Sequence, residues 1–421
     1  TAAPAGVARL QKAQQLTTRA FMDVAWLWPH YIAGSILATK LLERMMHGRV
    51  SDDDLAALGR GLYGNVTTEM DMAVGDVADA ARPYAALVRH LSQPDLPAAQ
   101  LLSQAADFEG GDEFLEAWHH FLKLYGMRGP SEIDIARPRW QEEPSSLLQM
   151  IVGNLQHGEQ GAHRQHHRQL VEEGDAAAQR VMAAAGRGPR GWLVKRLVDA
   201  LRHLPAVREH PKFMLIRLMW LVKQAVIEAA EMLVADGRLA RVGAVWHLTL
   251  DELIAALAQH QDVSALVAER QAQMSRAAEL NPPQVMTSEG EIPAVDYDAI
   301  DAPEGALIGS PVSAGVVEGI AKVILDPQTE VIQRGEILVA PFTDPGWTPL
   351  FINAVGLVME VGGLMTHGSV VAREYGIPAV VGVVDATKRI KSGQRLRIHG
   401  QAGYVEILED EPHQSAEAAL V

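Results

Sequence analysis

Apolar residues recur at three- and four-residue spacing from about Ala5 to Leu280, in long Ala/Leu/Met/Gln-rich stretches broken at Gly or Pro. That period is the mark of helices that each bury one face. Arg19 to Met46 predicts one or two helices rich in large apolar residues, and Ser51 before Asp52, Asp53 and Asp54 predicts the cap of the next. Phe114 to Tyr125 predicts another helix and Gly126 to Pro144 an irregular segment. Leu147 to Ala185 predicts a long charged helix or helix pair, and Phe213 to Asp236 a strongly apolar helix ended by Gly237. Thr249 and Glu252 have the spacing of a capping box for a further helix.

The pattern changes at Asn281. Residues 281–304 carry Pro282, Pro283, Pro293 and Pro303 with an acidic surplus and no period, which predicts an extended linker. Beyond it, runs rich in Val, Ile and Leu predict strands at Gly315–Leu325, Glu336–Ala340, Leu357–Val361, Ala379–Val384 and Arg395–Ile398. Helical patterns near Pro349–Ala354 and Thr366–Tyr375 fall between them, so the expectation is a compact α/β domain. The fold class expected is therefore multi-domain: a mainly α-helical domain over 1–280, a linker over 281–304, a compact α/β domain over 305–410, which the resemblance given below implies to be a swivelling one, and a disordered acidic tail over 411–421.

Composition narrows the function classes. A chain of 421 residues supports two or three domains. No stretch of about twenty residues lacks charge, so no membrane span is expected. The start shows no basic region followed by an apolar block, which argues against a secretory signal. Beginning at Thr1, the chain reads as processed or partial. With no cysteine, disulfides, thiol nucleophiles and Cys-based zinc sites are excluded, and a cytoplasmic protein is the simplest account. The net charge of −15 argues against broad nucleic-acid binding.

The chemistry concentrates at Thr366 and His367, just after the Gly362–Gly363 pair. A histidine in the first turn of a helix sits near its positive end, among backbone N–H groups suited to anions. The field there favours a neutral, nucleophilic imidazole, a good place for a phosphoryl group. The two glycines are expected to permit a tight turn and close backbone approach. Upstream, Arg208 and Lys212 are four apart and share a helix face, where two cations would clamp the oxygens of a phosphoryl group in transfer. Pro211 places a helix start nearby, since proline suits a first turn. Glu209 is a candidate for orienting or deprotonating a hydroxyl. Phe21, Met22, Trp26, Trp28, Met45 and Met46 could offer adaptable apolar surface to a large ligand, or could simply be helix-packing core.

Two patterns read as decoys. Gly186-Arg-Gly-Pro-Arg-Gly191 follows a helical alanine run rather than a strand, so it predicts a loop between helices. His163, His166 and His167 have helical spacing but lie among polar residues, on what reads as a solvated face; no metal site is expected.

The string Val361-Gly-Gly-Leu-Met-Thr-His-Gly-Ser-Val-Val-Ala-Arg-Glu-Tyr-Gly-Ile-Pro378, within a resemblance running from Gly305 to Leu408, is similar to the phosphohistidine signature of the mobile domain of phosphoenolpyruvate-utilising enzymes. Phe121 to Pro144 and Arg208-Glu-His-Pro-Lys212 resemble the substrate domain of rifampin phosphotransferases. The resemblance implies His367 as phosphoryl carrier, Arg208 and Lys212 as its partners, and Gly362, Gly363, Thr366 and Arg373 as the carrier loop. It further implies a rifamycin-type or other large apolar acceptor, with ATP and Mg held by an ATP-grasp domain in cis or in trans rather than by this chain. In that family His usually stands where this chain has Met127, and Arg128, Glu132 and Asp134 are expected to be structural. Two other readings stay open: a pyrrole-condensing synthetase of the prodigiosin type, and a stand-alone phosphorelay or binding subunit.

Overall fold

A computed structural model describes residues 6–93, 96–157, 159–277, 286–291, 302–327, 330–343, 347–351, 353–364 and 366–408. The helices of the first part are α1 (Val7–Met46), α2 (Asp52–Ala57), α3 (Val66–Ala81), α4 (Ala85–Leu91), α5 (Ala98–Gln104), α6 (Gly111–Tyr125), α7 (Ser145–His157), α8 (Ala162–Ala185), α9 (Pro189–Val207), α10 (Glu209–Ala235), α11 (Leu250–Gln259) and α12 (Ser264–Ala277). The second part holds β1 (Leu307–Ile308), β2 (Ser310–Ser313), β3 (Val316–Val323), β4 (Glu336–Ala340), α13 (Thr348–Phe351), β5 (Ala354–Met359), α14 (His367–Tyr375), β6 (Ala379–Val381), α15 (Ala386–Arg389), β7 (Arg395–His399) and β8 (Tyr404–Leu408). Most of the linker and all of the tail lie outside the described residues.

Local signals explain most boundaries. Ser51 accepts from the Asp54 N–H at the start of α2, and Thr249 and Glu252 form the expected capping box on α11. The charged stretch after Leu147 is a pair, α7 and α8, and the Gly186–Gly191 string is the loop between α8 and α9 and the first turn of α9. Helix α1 is one continuous helix through Pro29, starting well before Arg19. It packs along α9 and α10, which support the helix where Pro29 lacks an N–H.

The sheet runs β1-β8-β7-β3-β4-β5-β6-β2, with β3, β4, β5 and β6 parallel to one another. Its apolar runs are continuous because both faces are buried. On β4, Ile337 and Val339 enter a core with Val380 and Leu396, while Leu338 and Ala340 point the other way. That second face shares one core with Trp347, Leu350 and Phe351 of the sheet part and with Phe114, Trp118 and Leu147 of the helices. Helix α14, which begins at His367, starts on this side, after β5.

Three strands were not expected: β1, β2 and β8. β2 contains Pro311, which reads against a strand, but it sits at the sheet edge and pairs only with β6, with a register shift between Pro311 and Ser313. The strand expected at Leu357–Val361 instead spans Ala354–Met359, because Gly356 lies in the ladder opposite Ile337.

Candidate functional site

Helices α9 and α10 meet at Arg208, which keeps helical angles (φ −54°, ψ −32°) between Pro205 and Pro211. Both prolines lack an N–H, so the hydrogen-bond ladder is interrupted here and the chain re-enters a helix at Glu209, with Pro211 in the first turn. This junction projects Arg208, Glu209 and Lys212 together. Arg208 donates to Glu209, and both are buried. Lys212 reaches Glu132 at 3.3 Å, and Glu132 also takes a two-pronged contact from Arg128 at 2.8 and 2.9 Å.

His367 arrives from the other part of the chain. Its Nδ1 lies 3.4 Å from Glu209 Oε2, and the Thr67 hydroxyl donates to the same oxygen at 3.4 Å. The sequence candidates His367, Arg208, Glu209 and Lys212 thus converge, although α14 and the α9–α10 junction are far apart along the chain.

Burial and charge oppose each other here. Burial pushes the His367 imidazole below its usual range; Glu209 pulls it up, and Lys212 and Arg208 push it down again. The net direction is down, favouring the neutral ring. Burial raises the Glu209 carboxyl, but His367, Arg208 and Lys212 outweigh it, so Glu209 stays ionised. Glu132 behaves alike: burial raises it, while Arg128 and Lys212 bring it down to about 2. The result is a carboxylate at one ring nitrogen, with two cations nearby.

The loop that leads into α14 is built tightly on one side only. Thr366 caps α14 by backbone geometry, and its hydroxyl donates to the Gly363 carbonyl at 2.9 Å and meets Ser369 Oγ at 2.9 Å. Arg373 donates to the Leu364 carbonyl at 2.6 Å, pinning the loop to its own helix. A Cβ on Gly362 would stand 2.9 Å from Val381 Cβ, but one on Gly363 would meet nothing within 4 Å, and neither glycine has a positive φ. The close approach expected of the pair belongs to Gly362. A tighter one, unforeseen, is at Gly368, whose Cβ would lie 2.3 Å from Thr343 Oγ1.

The apolar candidates divide. Phe21, Met22 and Trp26 are exposed on α1, at 59%, 66% and 72%, and Trp28 is half-buried. Met46 has no exposed surface and packs with Leu42, Leu58, Val181 and Val198, with Met45 against the same cluster. These two are helix-packing core, since the apolar spacing that suggested a ligand surface is that of α1 against α2, α8 and α9. His163 also departs from its expected solvated face: its side chain is buried between Asp76 (3.1 Å) and Asp79 (3.7 Å). No group of His, Asp and Glu among the described residues is arranged to hold a metal.

The irregular segment is the ion-paired brace expected of it in Arg128 and Glu132, closed by buried Trp140, whose backbone N–H donates to the Arg128 carbonyl at 2.9 Å. Asp134 lies nearer the surface, 3.6 Å from Arg137, and Met127 is buried. Sequence reasoning missed that Glu132 is also the partner of Lys212. It missed a row of polar residues at the start of α3 as well: Asn65, Thr67, Thr68 and Asp71 are all buried. The available signal was polar side chains interleaved with the apolar positions Val66, Met70 and Val74 in the first turns of the helix.

Residues 27–209 match the rifampicin phosphotransferase fourth domain, and residues 332–403 match the mobile domain of PEP-utilising enzymes. The chain is similar to a rifampicin phosphotransferase of Bacillus subtilis, 40% identical over 83% of this chain and 41% of that protein. It is also similar to one of Streptomyces sviceus, 44% identical over 82% and 40%. A weaker similarity, 32% over 68% of this chain and 32% of the relative, is to the prodigiosin synthesizing transferase PigC of Serratia marcescens. The chain therefore spans well under half the length of the curated relatives it matches. No helix among the described residues is long and apolar enough to cross a membrane.

Proposed function

Since the chain belongs to the rifampicin phosphotransferase family, through a fourth domain joined to a PEP-utilising mobile domain, we propose that His367 carries a phosphoryl group to a hydroxyl of a rifamycin-type antibiotic. The observation that carries this reading is the contact of His367 Nδ1 with the buried, ionised Glu209, flanked by Arg208 and Lys212. A carboxylate at Nδ1 holds that nitrogen as N–H and leaves Nε2 to bear phosphorus.

In the transfer step the P–N bond at Nε2 breaks and a P–O bond to the acceptor oxygen forms. The acceptor hydroxyl loses its proton to solvent, and the ring keeps its Nδ1 proton against Glu209. Arg208 and Lys212 offset the charge on the phosphoryl oxygens. Glu209 thus acts on the carrier ring and orients it; the ring is the better leaving group while Nδ1 stays protonated.

The overall reaction in this reading takes ATP, antibiotic and water to AMP, phosphate and phospho-antibiotic. The phosphoryl source is ATP with Mg on an ATP-grasp domain, in cis or in trans, and no step at this site is routed through the metal. The exposed Phe21, Met22 and Trp26 lie on the helix whose Gly34 abuts Leu204, just before Arg208. Trp26 is then roughly 12 Å along α1 from that contact at 1.5 Å per residue, a span a macrocyclic ligand covers. The cytoplasm, where such an antibiotic and ATP meet, is the compartment of this reading.

The test is chemical labelling with phosphoramidate. Label should appear on His367 by mass spectrometry and be absent in His367→Ala; label elsewhere, or label surviving in that variant, would sink the carrier assignment.

A further inference from the structure

On the carrier helix, Glu374 and Tyr375 directly follow Arg373, and both face α3. The Thr68 hydroxyl donates to Glu374 Oε1 at 2.7 Å, and the Asn65 amide donates to Oε2. The Gly61 N–H lies 3.4 Å from the Glu374 carbonyl, and the Tyr375 hydroxyl donates to Asp71 Oδ2 at 2.9 Å. Glu374, Asn65, Thr68 and Asp71 are all buried. Buried polar groups are costly without partners. The side-chain hydrogen bonds of Thr68 and Asp71, and of the Asn65 amide nitrogen, go to the α14 pair Glu374 and Tyr375. A surface of that kind suits an interface that opens and closes: apart, its polar groups return to water; together, Glu374 takes the Thr68 and Asn65 donors and Asp71 Oδ2 takes the Tyr375 hydroxyl.

We infer that Glu374 and Tyr375 are positioning residues, a polar latch by which the carrier domain seats on the start of α3 and brings His367 to Glu209. The inference rests on the carrier reading of His367 for its purpose, but the latch itself is a property of the contact. The charged or titratable groups facing Glu374 are Glu209 of α10, Arg202 of α9, and Asp71 of α3 with Tyr375 on its own helix. Burial, which is the largest influence, raises the Glu374 carboxyl to about 7 against the Thr68 and Asn65 hydrogen bonds.

The direction of the Asn65 bond makes the latch testable. Asn65 Oδ1 is already committed to the Thr67 N–H as the cap of α3, so the amide nitrogen must face Glu374. Glu374→Gln can accept from only one of these two donors: its N–H group either opposes the Asn65 amide N–H or makes the Thr68 hydroxyl turn and accept, so the pair of bonds to a carboxylate is weakened either way. Asn65→Asp keeps the cap and restores an acceptor for the new amide.

The chain has no cysteine, so a label pair can be placed directly at Gln169→Cys on α8 and Lys391→Cys after α15, both exposed. Electron-spin distance measurements on the 421-residue chain should give one narrow distribution. Glu374→Gln should move the docked population roughly tenfold toward a broad one, the size expected for losing a hydrogen bond to a charged group. Tyr375→Phe should move it in the same direction, and adding Asn65→Asp to Glu374→Gln should return it to within about threefold of the parent. An unchanged distribution in Glu374→Gln, or a shift that Asn65→Asp fails to reverse, overturns the latch. Phosphoramidate labelling of His367 in the same samples reports on the carrier reading separately, since label does not require docking.

Discussion

Replacing Glu132 should cost more stability than any other single charge near the site. Its side chain has no exposed surface, and it balances both Arg128, itself buried, and Lys212. Its carboxyl is held at about 2 instead of 4.5. That displacement corresponds to about 3 kcal/mol at roughly 1.4 kcal/mol per tenfold change in proton affinity. Removing one partner of a buried pair typically costs about 3–5 kcal/mol, because the other charge is left uncompensated. Glu132→Gln should therefore destabilise the helical part by about 3 kcal/mol, lowering its melting temperature by roughly 6–12 °C. Because the folded carboxyl is depressed, this stabilisation is present above pH 4.5 and is lost as pH falls toward 2. Circular dichroism melts at pH 7 and pH 3 test both statements. A drop under 2 °C at pH 7, or the same gap between parent and variant at pH 3 as at pH 7, would refute the reasoning.

Three further outcomes follow from particular contacts. Met46→Ala should cost roughly 2–5 kcal/mol as a fully buried truncation, while Trp26→Ala should stay within about 0.5 kcal/mol; denaturant unfolding of the two variants compares them. In an NMR titration the His367 ring should change charge below pH 6.5. Because its folded value is depressed, it contributes stability above 6.5 that is lost as pH falls, and a midpoint above 6.5 would contradict the burial argument. Gly368→Ala should destabilise the α/β part through the clash with Thr343, whereas Gly363→Ala should be close to neutral; comparable melting shifts in both would show that the loop is held differently.

The helical part was legible wherever the 3.6-residue period was long or a cap residue stood at a boundary, as at Ser51 and Thr249. In the α/β part the central strands were legible because β4, β5 and β6 are buried on both faces and read as unbroken apolar runs. The edge strands were not, since β1 and β2 are short and β2 carries a proline that only an edge position excuses. For the site, His367, Arg208, Glu209 and Lys212 were each conspicuous locally. Their meeting was not, because it depends on how α14 seats against α3 and α10, contacts hundreds of residues apart in sequence. Glu374, and the link of Glu132 to Lys212, were missed for that reason: each looks like an ordinary helix or loop carboxylate until its partners arrive from another element. Met45 and Met46 went the other way, their apolar character serving the packing of α1.

The most direct measurement is a chase. The 421-residue chain, labelled on His367 with phosphoramidate, would be mixed with rifampicin and followed by mass spectrometry of both protein and antibiotic. The account predicts that label leaves His367 and appears on a rifampicin hydroxyl, and that Arg208→Ala slows this by roughly 100-fold, the effect of removing one preorganised charge from a transfer site. Label that leaves His367 only to water, at the same rate with or without rifampicin, would contradict it.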